Sequence, residues 1–522
     1  MIKIAFQNFN SHLNSRINKT PPFILPLILF CICALVFSKL HHGYNTDFRP
    51  QGVHFWAQAD RFSIARNYYD NGLNFFEPQT NYLELNEGKT GVEFPAIQYA
   101  TALIAKPFGA RDSLFLIYRS LCFLFLSIGA LFLMKTIKIH GGNAFQQVLI
   151  PVFFILSPLL LFYGFNLLPD VPAFALTLIS YYYFETFRLN IKFNAIYYAL
   201  AFGFAAALLK ITSAIFPIAY LFWVLTHSFF IDKQISRSKI RFIIVFFVAF
   251  FSIWLSITYY FTVRANAVFQ SSVFLSMSRH INDWGNFSEI WESIVCWHRE
   301  YFRETQYWII LIAFIVSLNT RYKNNGVLWF KTIVFIGFIC FILLMGKQLI
   351  NHDYYAICTI IPVIIILSLD GLMILSKGCI GALFLLYFVQ NIAPQSIQQS
   401  IKRQDEVYNL PCREIWDYKA YMIEGAQWVA NTKIPKSDII FVLYDYPLNT
   451  PLVYLDRKGM VFNHFKMKDK SLINYWFNQL KPKYIVIPKQ WTHCLKEDQI
   501  EITKTLEMVF QGNQVTIYKS IR

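Results

Sequence analysis

The sequence predicts a polytopic α-helical membrane protein that ends in a small extracytoplasmic α/β domain. Three observations predict it. The 522-residue chain is 56% hydrophobic and 15% charged, with a mean hydropathy of +0.39, a composition suited to an apolar solvent. About eleven apolar stretches recur along its first three quarters. Lys and Arg collect in every second connection between those stretches.

A spanning helix needs about 20 apolar residues, within a range of about 17–25. On that basis spans are expected at 22–39, 113–134, 145–165, 170–187, 194–209, 211–230, 242–263, 307–318, 327–344, 355–375 and 379–392. The stretch 194–230 is too long for one helix and carries Lys210 midway. It predicts a helical hairpin with Lys210 at its tip. One set of connections carries Lys135 and Lys138, then Arg188 and Lys192, then Lys233, Arg237, Lys239 and Arg241, then Arg321 and Lys323, then Lys377. That is a positive-inside pattern. Residues 1–20 are polar and basic, so the span at 22–39 reads as an uncleaved signal anchor with the N-terminus inside. An odd number of spans then leaves the C-terminal region outside.

Two domains follow: a membrane domain over 1–393, which includes a large outer loop at 41–112, and an extracytoplasmic domain over 394–522. The loop holds a helix-like stretch at 60–69 and a short apolar stretch at 96–108, expected to lie in the interface. Residues 264–306, with Trp284, Trp291 and Trp297, read as a second interfacial loop. In the last domain strand-like runs at 438–444, 452–454, 483–487 and 514–518 alternate with helix-like runs at 416–431 and 471–480. Six of the nine cysteines lie in apolar spans as packing residues. Cys412 and Cys494 share the outer domain, where a disulfide is permitted. No pair has CxxC spacing, which argues against a zinc site.

The formal charge of +16 is assigned largely to the inner loops, and no motif points to nucleic acid as a partner. No P-loop or dinucleotide fingerprint is present. The polar residues expected at the outer face are more telling. The first loop offers Asp47, His54, Gln58, Asp60, Arg61, Arg66 and Glu93. Asp170 opens a helix in Pro169-Asp170-Val171-Pro172. Lys210 marks the hairpin tip. A later turn carries Lys347, His352, Asp353 and Tyr354. Each has a plain structural reading: Asp170 as a helix cap, Lys210 snorkelling to the interface, His352 bonded to backbone, Asp47 as a loop carboxylate. Together, acids and bases at one membrane face mark a substrate path or a reaction site, and they are expected to converge on one pocket at the outer rim.

The signs of these charges suit transfer of a sugar from a polyprenyl phosphate. The departing phosphate gains negative charge and needs cations such as Lys210, Lys347, His352 and the loop arginines. The attacking hydroxyl needs a carboxylate to take its proton, for which Asp60 and Asp47 are the candidates. The donor is already activated and bound to the bilayer, so no nucleotide pocket is needed. No cofactor is specified; the outer carboxylates permit a divalent metal without forming a dense ligand set.

The segments His54-Phe55-Trp56-Ala57-Gln58-Ala59-Asp60, Ile64-Ala65-Arg66-Asn67, Gly91-Val92-Glu93-Phe94-Pro95, Leu168-Pro169-Asp170-Val171-Pro172 and His352-Asp353-Tyr354-Tyr355 resemble bacterial glycosyltransferase family 39-like membrane proteins. These belong to the GT-C class, which includes protein O-mannosyltransferases and the aminoarabinose transferase of lipid A. The resemblance covers the membrane region. It implies a GT-C-like enzyme of the bacterial cytoplasmic (inner) membrane that uses a polyprenyl-phosphate sugar, inverts C1, and keeps an acidic residue of the first outer loop at the reaction centre. Relatives often carry an adjacent Asp-Glu pair just before the helix of this loop. Here that stretch reads Ala57-Gln58-Ala59-Asp60, which leaves both Asp60 and Asp47 in play. Glu93 matches the acid beside the amphipathic segment, where relatives position lipid phosphate or a metal, but no Lys follows it here.

The expected partners are a polyprenyl-phosphate-linked sugar donor, the lipid bilayer, and an acceptor that is a glycan, a lipid or a protein. Two alternatives stand beside the transferase. One is a transporter or flippase of lipid-linked saccharide, which would place polar groups near the bilayer midplane. The other is an inactive scaffold, suggested by the altered acid pattern.

Overall fold

The structure is a computed structural model that describes residues 23–41, 49–84, 86–190, 192–230, 236–271, 273–274, 280–281, 283–320, 325–404, 419–494 and 505–521. The chain divides into two compact units. The first comprises Met1–Asp47, Arg119–Tyr259 and Met277–Gln404; the second comprises Phe48–Tyr118, Tyr260–Ser276 and Asp405–Arg522. The outer loop therefore belongs to the same unit as the C-terminal segment. The expected boundary at 393/394 falls inside one continuous helix, Gly378–Gln404.

All eleven apolar stretches are helical. Three helices among the described residues are long and apolar enough to cross a membrane: Arg111–Ile139, Arg237–Phe269 and Gly326–Met345. Other expected spans are interrupted. The stretch 145–165 becomes Ala144–Ile155 and Pro158–Tyr163. Asn143 and Gln146 form a capping box at the start of the first of these. Ser157 Oγ accepts from the Leu160 amide at 3.3 Å and starts the second, where Pro158 lacks an N–H to offer the preceding turn. Residues 355–375 break at Thr359 into Tyr355–Cys358 and Ile360–Leu375. Helices Glu304–Thr320 and Ile360–Leu375 pack backbone to backbone. A Cβ on Gly371 would fall 1.7 Å from the Ala313 carbonyl oxygen, so only glycine fits there.

The second unit is built on a five-stranded sheet of order β2-β1-β3-β5-β4, with β1 Ile440–Leu443, β2 Gly459–Phe462, β3 Tyr484–Pro488, β4 Leu506–Gln511 and β5 Val515–Ser520. β2, β1 and β3 run parallel, while β5 is antiparallel to β3 and β4. The four residues of β1 are all buried, as an inner parallel strand requires. The loop extends this sheet. Leu83 N donates to Gly459 O at 2.7 Å, and Gly459 N donates to Asn81 O at 3.0 Å, so the loop pairs with the free edge of β2. Tyr82 and Leu83 join the sheet's buried core. A Cβ at Gly459 would lie 1.6 Å from Ile440 O, which explains the glycine in Arg457-Lys458-Gly459.

One expected strand is corrected. Residues 452–454 are helical, within Thr450–Leu455, where Pro451 sits in the first turn with its fixed φ suited to a helix start. β2 and β4 were not expected. The predicted helices at 60–69, 96–108 and 471–480 appear as Phe55–Asp70, Ala96–Ala105 with a following 3-10 turn, and Lys470–Leu480. Of the predicted 416–431 helix, Lys419–Asn431 is described. Cys412 lies outside the described residues. Cys494 is a thiol 3.4 Å from His493 Nε2, so the Cys412–Cys494 bridge is not formed; Cys296 is disulfide-bonded.

Candidate active site

The first unit gathers a buried charged cluster from four segments. Lys210 has extended backbone, φ −148° and ψ 107°, and interrupts the apolar run between Phe193–Leu209 and the 3-10 turn Ile211–Ala214. Its side chain turns inward and is 1% exposed. Nζ lies 3.3 Å from Asp170 Oδ1 and 3.9 Å from the centre of the Tyr355 ring, with Tyr354 at 5.3 Å. Snorkelling is therefore not what Lys210 does. Burying an ammonium and a carboxylate costs several kcal/mol per ion unless they are paired, and here each is. Cys358 Sγ donates to the Asp170 carbonyl at 3.1 Å and ties the Tyr355–Cys358 turn to the Asp170 helix.

Next to this pair, the 352–355 turn is held by charge. Asp353 is fully buried. It accepts from Tyr163 Oη at 3.0 Å and from the guanidinium of Arg403. Arg403 also donates to Glu300 Oε2 at 2.8 Å, and Gln399 donates to Glu300 Oε1 at 2.6 Å. His352 packs edge-on against Tyr354 and Tyr355, with ring centroids 5.4 and 5.8 Å away, and its Nδ1 is 3.1 Å from the Gln348 carbonyl. Lys347, one residue before the short helix Gln348–Asn351, forms no ion pair or hydrogen bond among the described residues.

An apolar cavity of about 530 Å³ runs between helices Ile215–Phe230 and Asn325–Met345, with Ile211 and Thr212 also in its lining. Ile215, Phe222, Ile336 and Leu344 line it. The remaining charged pairs of this unit sit at the other helix ends. Glu185 contacts His140 Nε2 at 2.8 Å and Arg188 at 2.5 Å, and Asp370 contacts Lys331 Nζ at 3.1 Å. Asp170 and Glu185 occupy one helix, fifteen positions apart, which is about 22 Å along its axis.

The second unit holds the loop residues. Helix Phe55–Asp70 carries Gln58, Asp60, Arg61 and Arg66. Asp60 is half-buried, and its Oδ1 accepts from Asn449 Nδ2 at 2.9 Å. Asn449 Oδ1 accepts in turn from the Tyr82 amide at 2.9 Å, which fixes the amide's orientation. Burial pushes the Asp60 carboxyl up to about 6, against the lowering effects of the Asn449 hydrogen bond and the Arg61 charge. Arg61 donates to Glu93 Oε2 at 2.8 Å and lies over the Phe274 ring at 5.3 Å.

Other loop candidates serve the scaffold. Gln58 donates to the carbonyls of Gln51 and Val53 at 2.8 and 3.2 Å, closing the turn ahead of its own helix. Arg66 donates to the Val453 carbonyl at 3.0 Å and pairs with Asp456 at 3.1 Å, above the Phe62 ring. Arg111 binds both Asp70 and Asp456 through two bonds each, at 2.7–2.8 Å. His54 takes a left-handed backbone at φ 54° and precedes the Phe55 helix, with its buried ring edge-on to Trp56. Asp47 lies outside the described residues. Among the described residues, no three His, Cys, Asp or Glu side chains form a group that could hold a metal.

Asp170, Lys210, His352, Asp353 and Tyr354 thus come together in the first unit, whereas Asp60, Arg61, Arg66 and Glu93 belong to the second. Sequence reasoning missed Arg403, Glu300, Tyr163 and Asn449. The expected last span ended at 392, so Arg403 was assigned to a different domain. A charged residue in the last turn of an apolar helix was the available signal. For Asn449 there was none, because its partners are 389 and 367 residues away.

No protein-family model matches the chain, and no curated protein matches it by sequence. Solved structures do. ArnT from Cupriavidus metallidurans bound to undecaprenyl phosphate superposes with a TM-score of 0.50 at 11% identity, covering 95% of this chain and 98% of that one. The Archaeoglobus fulgidus oligosaccharyltransferase in complex with Zn and sulfate gives 0.51 at 13% identity, covering 89% and 68%. Arabinofuranosyltransferase AftD from Mycobacteria gives 0.54 at 13% identity, covering 96% of this chain and 40% of that one. The fold is GT-C-like. Within this GT-C-like membrane fold the mostly helical region is followed by the small C-terminal sheet, the arrangement expected from composition and charge.

Proposed function

We propose that this chain is an integral membrane glycosyltransferase. It moves a sugar from a polyprenyl-phosphate donor to an acceptor hydroxyl at the extracytoplasmic face of the bacterial cytoplasmic membrane, with inversion at C1. The observation that carries this reading is that one unit holds both the buried Lys210–Asp170 pair and an apolar cavity, which Lys210 itself does not line. A lipid phosphate has a charged head and a hydrocarbon tail, and these two features suit one each. The fold it shares with ArnT, a structure solved with undecaprenyl phosphate bound, supports the same donor class.

In the reaction the bond between C1 and the donor phosphate oxygen breaks, and a bond forms between C1 and the acceptor oxygen. The acceptor's proton passes to a carboxylate, and the polyprenyl phosphate departs as an anion. We assign Asp60 as the base. Its half-buried carboxyl, raised to about 6, is ionised at neutral pH yet more basic than a solvated Asp. Asp47 is the second candidate for this role. Lys210, Lys347 and His352 supply positive charge for the departing phosphate. Asp170 positions Lys210, Asp353 and Tyr354 shape the turn around it, and Arg61 with Glu93 supports the Asp60 helix.

The transporter alternative asks for polar groups near the middle of the helices. The charged pairs of the first unit cluster toward helix ends instead, which favours the enzyme. Proteoliposomes loaded with a polyprenyl-phosphate sugar separate the two. Release of polyprenyl phosphate together with a glycosylated acceptor is expected; movement of intact lipid across the bilayer without product would reject the transferase.

A further inference from the structure

The parallel part of the C-terminal sheet contains a topological switch point. β1 leads to β2 on one side, and the chain then crosses to β3 on the other, which gives the order β2-β1-β3. In open α/β sheets ligands bind at the carboxyl ends of strands arranged in this way, because the connections leaving them diverge. Three loops meet at that end of this sheet, after Leu443, Phe462 and Pro488. None of their residues takes part in the transfer chemistry assigned above.

The three loops carry rings that touch one another. His464 lies 4.2 Å from Trp491 and 5.2 Å from Tyr444, and Tyr446 lies 6.3 Å from Phe465 with the planes at 83°. Local structure decides which rings face out. Tyr444 is buried in the left-handed region at φ 65°, its amide donating to Phe462 O at 2.6 Å, so the chain leaves the strand direction here. The buried Asp445 then fixes the start of the loop: Oδ1 accepts from the Tyr446 amide at 2.7 Å and Oδ2 from Tyr421 Oη. Tyr446 follows with its ring 51% exposed. Asn463 Oδ1 accepts from the Lys466 amide at 2.9 Å and starts the short helix His464–Met467, in which Met467 packs inward and Phe465 is 68% exposed. Trp491 ends the 3-10 turn after β3, partly exposed, and its Nε1 has no hydrogen-bond acceptor among the described residues. Native structures leave few such donors, and a bound hydroxyl would satisfy this one.

Exposed rings suit either a sugar or a lipid surface, and the side chains between them favour the sugar. Asn463, His464, Gln490 and His493 are interleaved with the rings. Tyr446 and Phe465 are the large exposed apolar residues of these loops, and no Leu, Ile or Val joins them. The long apolar helix Arg237–Tyr259, by contrast, exposes Phe242, Val245 and Val248 together. A sugar presents C–H faces that lie on aromatic rings, and hydroxyls at its rim that exchange hydrogen bonds with amides and imidazoles.

We propose that Tyr446, Phe465 and Trp491, at the carboxyl ends of the three parallel strands, form a binding site for a saccharide. That this saccharide is the acceptor rests on the transferase reading; the site itself rests on the rings and their polar neighbours.

The test uses the full chain in nanodiscs with mannotriose, maltotriose and xylotriose as probes, read by saturation-transfer NMR and by titration. At least one of the three is expected to bind. Phe465→Ser removes one exposed ring and should weaken that binding roughly fivefold, within the worth of one aromatic contact, with the melting temperature unchanged. Phe465→Tyr should keep it. Failure of all three sugars to bind, or equal binding by Phe465→Ser, overturns the proposal. Phe465→Trp places a fluorophore on the same surface. The bound trisaccharide should change its added emission, and brominated phospholipid in the nanodisc should not; quenching by the lipid would give the rings to the bilayer surface and reject the site. If a trisaccharide binds but no polyprenyl phosphate is released from a donor, the transferase reading fails while the saccharide site stands. If transfer proceeds and Phe465→Ser leaves the acceptor KM unchanged, the site is not the acceptor's.

Discussion

Asn449 Nδ2 donates to Asp60 Oδ1 across 2.9 Å, joining a residue just after the first parallel strand of the C-terminal sheet to the carboxylate on the first-loop helix. The bond favours the ionised carboxylate, while burial favours the protonated one, and burial prevails: the group titrates near 6. A general base must be unprotonated to act. Activity should therefore fall as pH drops through about 6 and be level above it. Asp60→Asn should lower kcat by about 10²–10⁴-fold, the usual worth of a positioned base, with little change in melting temperature. A folded Asp60→Asn variant with full activity removes Asp60 from the chemistry and leaves Asp47 as the base.

Replacing the donor tests the same bond from its other end. Asn449→Leu removes a hydrogen bond to a carboxylate, worth roughly 1.5 kcal/mol or more, which is about one pH unit. The acidic limb of the pH–rate profile should move up by about that amount. The Tyr82 amide also loses its acceptor, so some stability is lost; a limb that stays in place would show that Asn449 acts only through Tyr82.

Lys210→Met should unfold the first unit more readily, because the buried Asp170 carboxylate loses a counter-charge at 3.3 Å. Breaking such a pair from one side costs about 3–5 kcal/mol. The double variant Lys210→Met/Asp170→Asn should recover most of that loss in thermal unfolding but not the binding of undecaprenyl phosphate. If the two substitutions destabilise additively, the pair is not coupled as its geometry requires.

Arg403 holds Glu300 and Asp353 with one guanidinium. Arg403→Lys keeps the charge but cannot span both carboxylates in the same way. It should lower the melting temperature clearly, and Arg403→Leu more so. Hydrogen exchange should then rise in the 352–355 turn. Unchanged protection there would count against a positioning role.

Asp456 titrates near 2, below its ordinary 3.8, because Arg66 and Arg111 favour its ionised form over the cost of burial. Its contribution to folding is thus fully present above about 4 and is lost as pH falls toward 2. The stability gap between wild type and Asp456→Asn, read from denaturation at pH 7, 5 and 3, should be widest at neutral pH and narrow by pH 3. A gap that does not change with pH would show that the pair adds nothing through charge.

Several elements were legible in the sequence because local patterns specify them. The eleven apolar stretches are helical, and strands β1, β3 and β5 lie where β-branched and aromatic runs predicted them. Residues 452–454 misled because Leu-Val-Tyr is strand-like by composition, while Pro451 just ahead of it favours a helix start. Lys210 was found as an anomaly in an apolar run, but its inward turn was not predictable. A lysine at that position can reach the interface or a buried carboxylate, and only the position of Asp170 decides.

By itself the sequence determined the apolar helices, the α/β character of the C-terminal region and the identity of the unusual charged residues, because hydrophobic period and charge distribution are local properties. Tertiary structure decided the partners. It paired Asp170 with Lys210, clamped Asp353 through Arg403, and brought the 81–83 segment to the edge of β2 and Asn449 to Asp60. These contacts join residues 40 to 389 positions apart, and a buried charge takes whichever partner the packing supplies within a few ångströms.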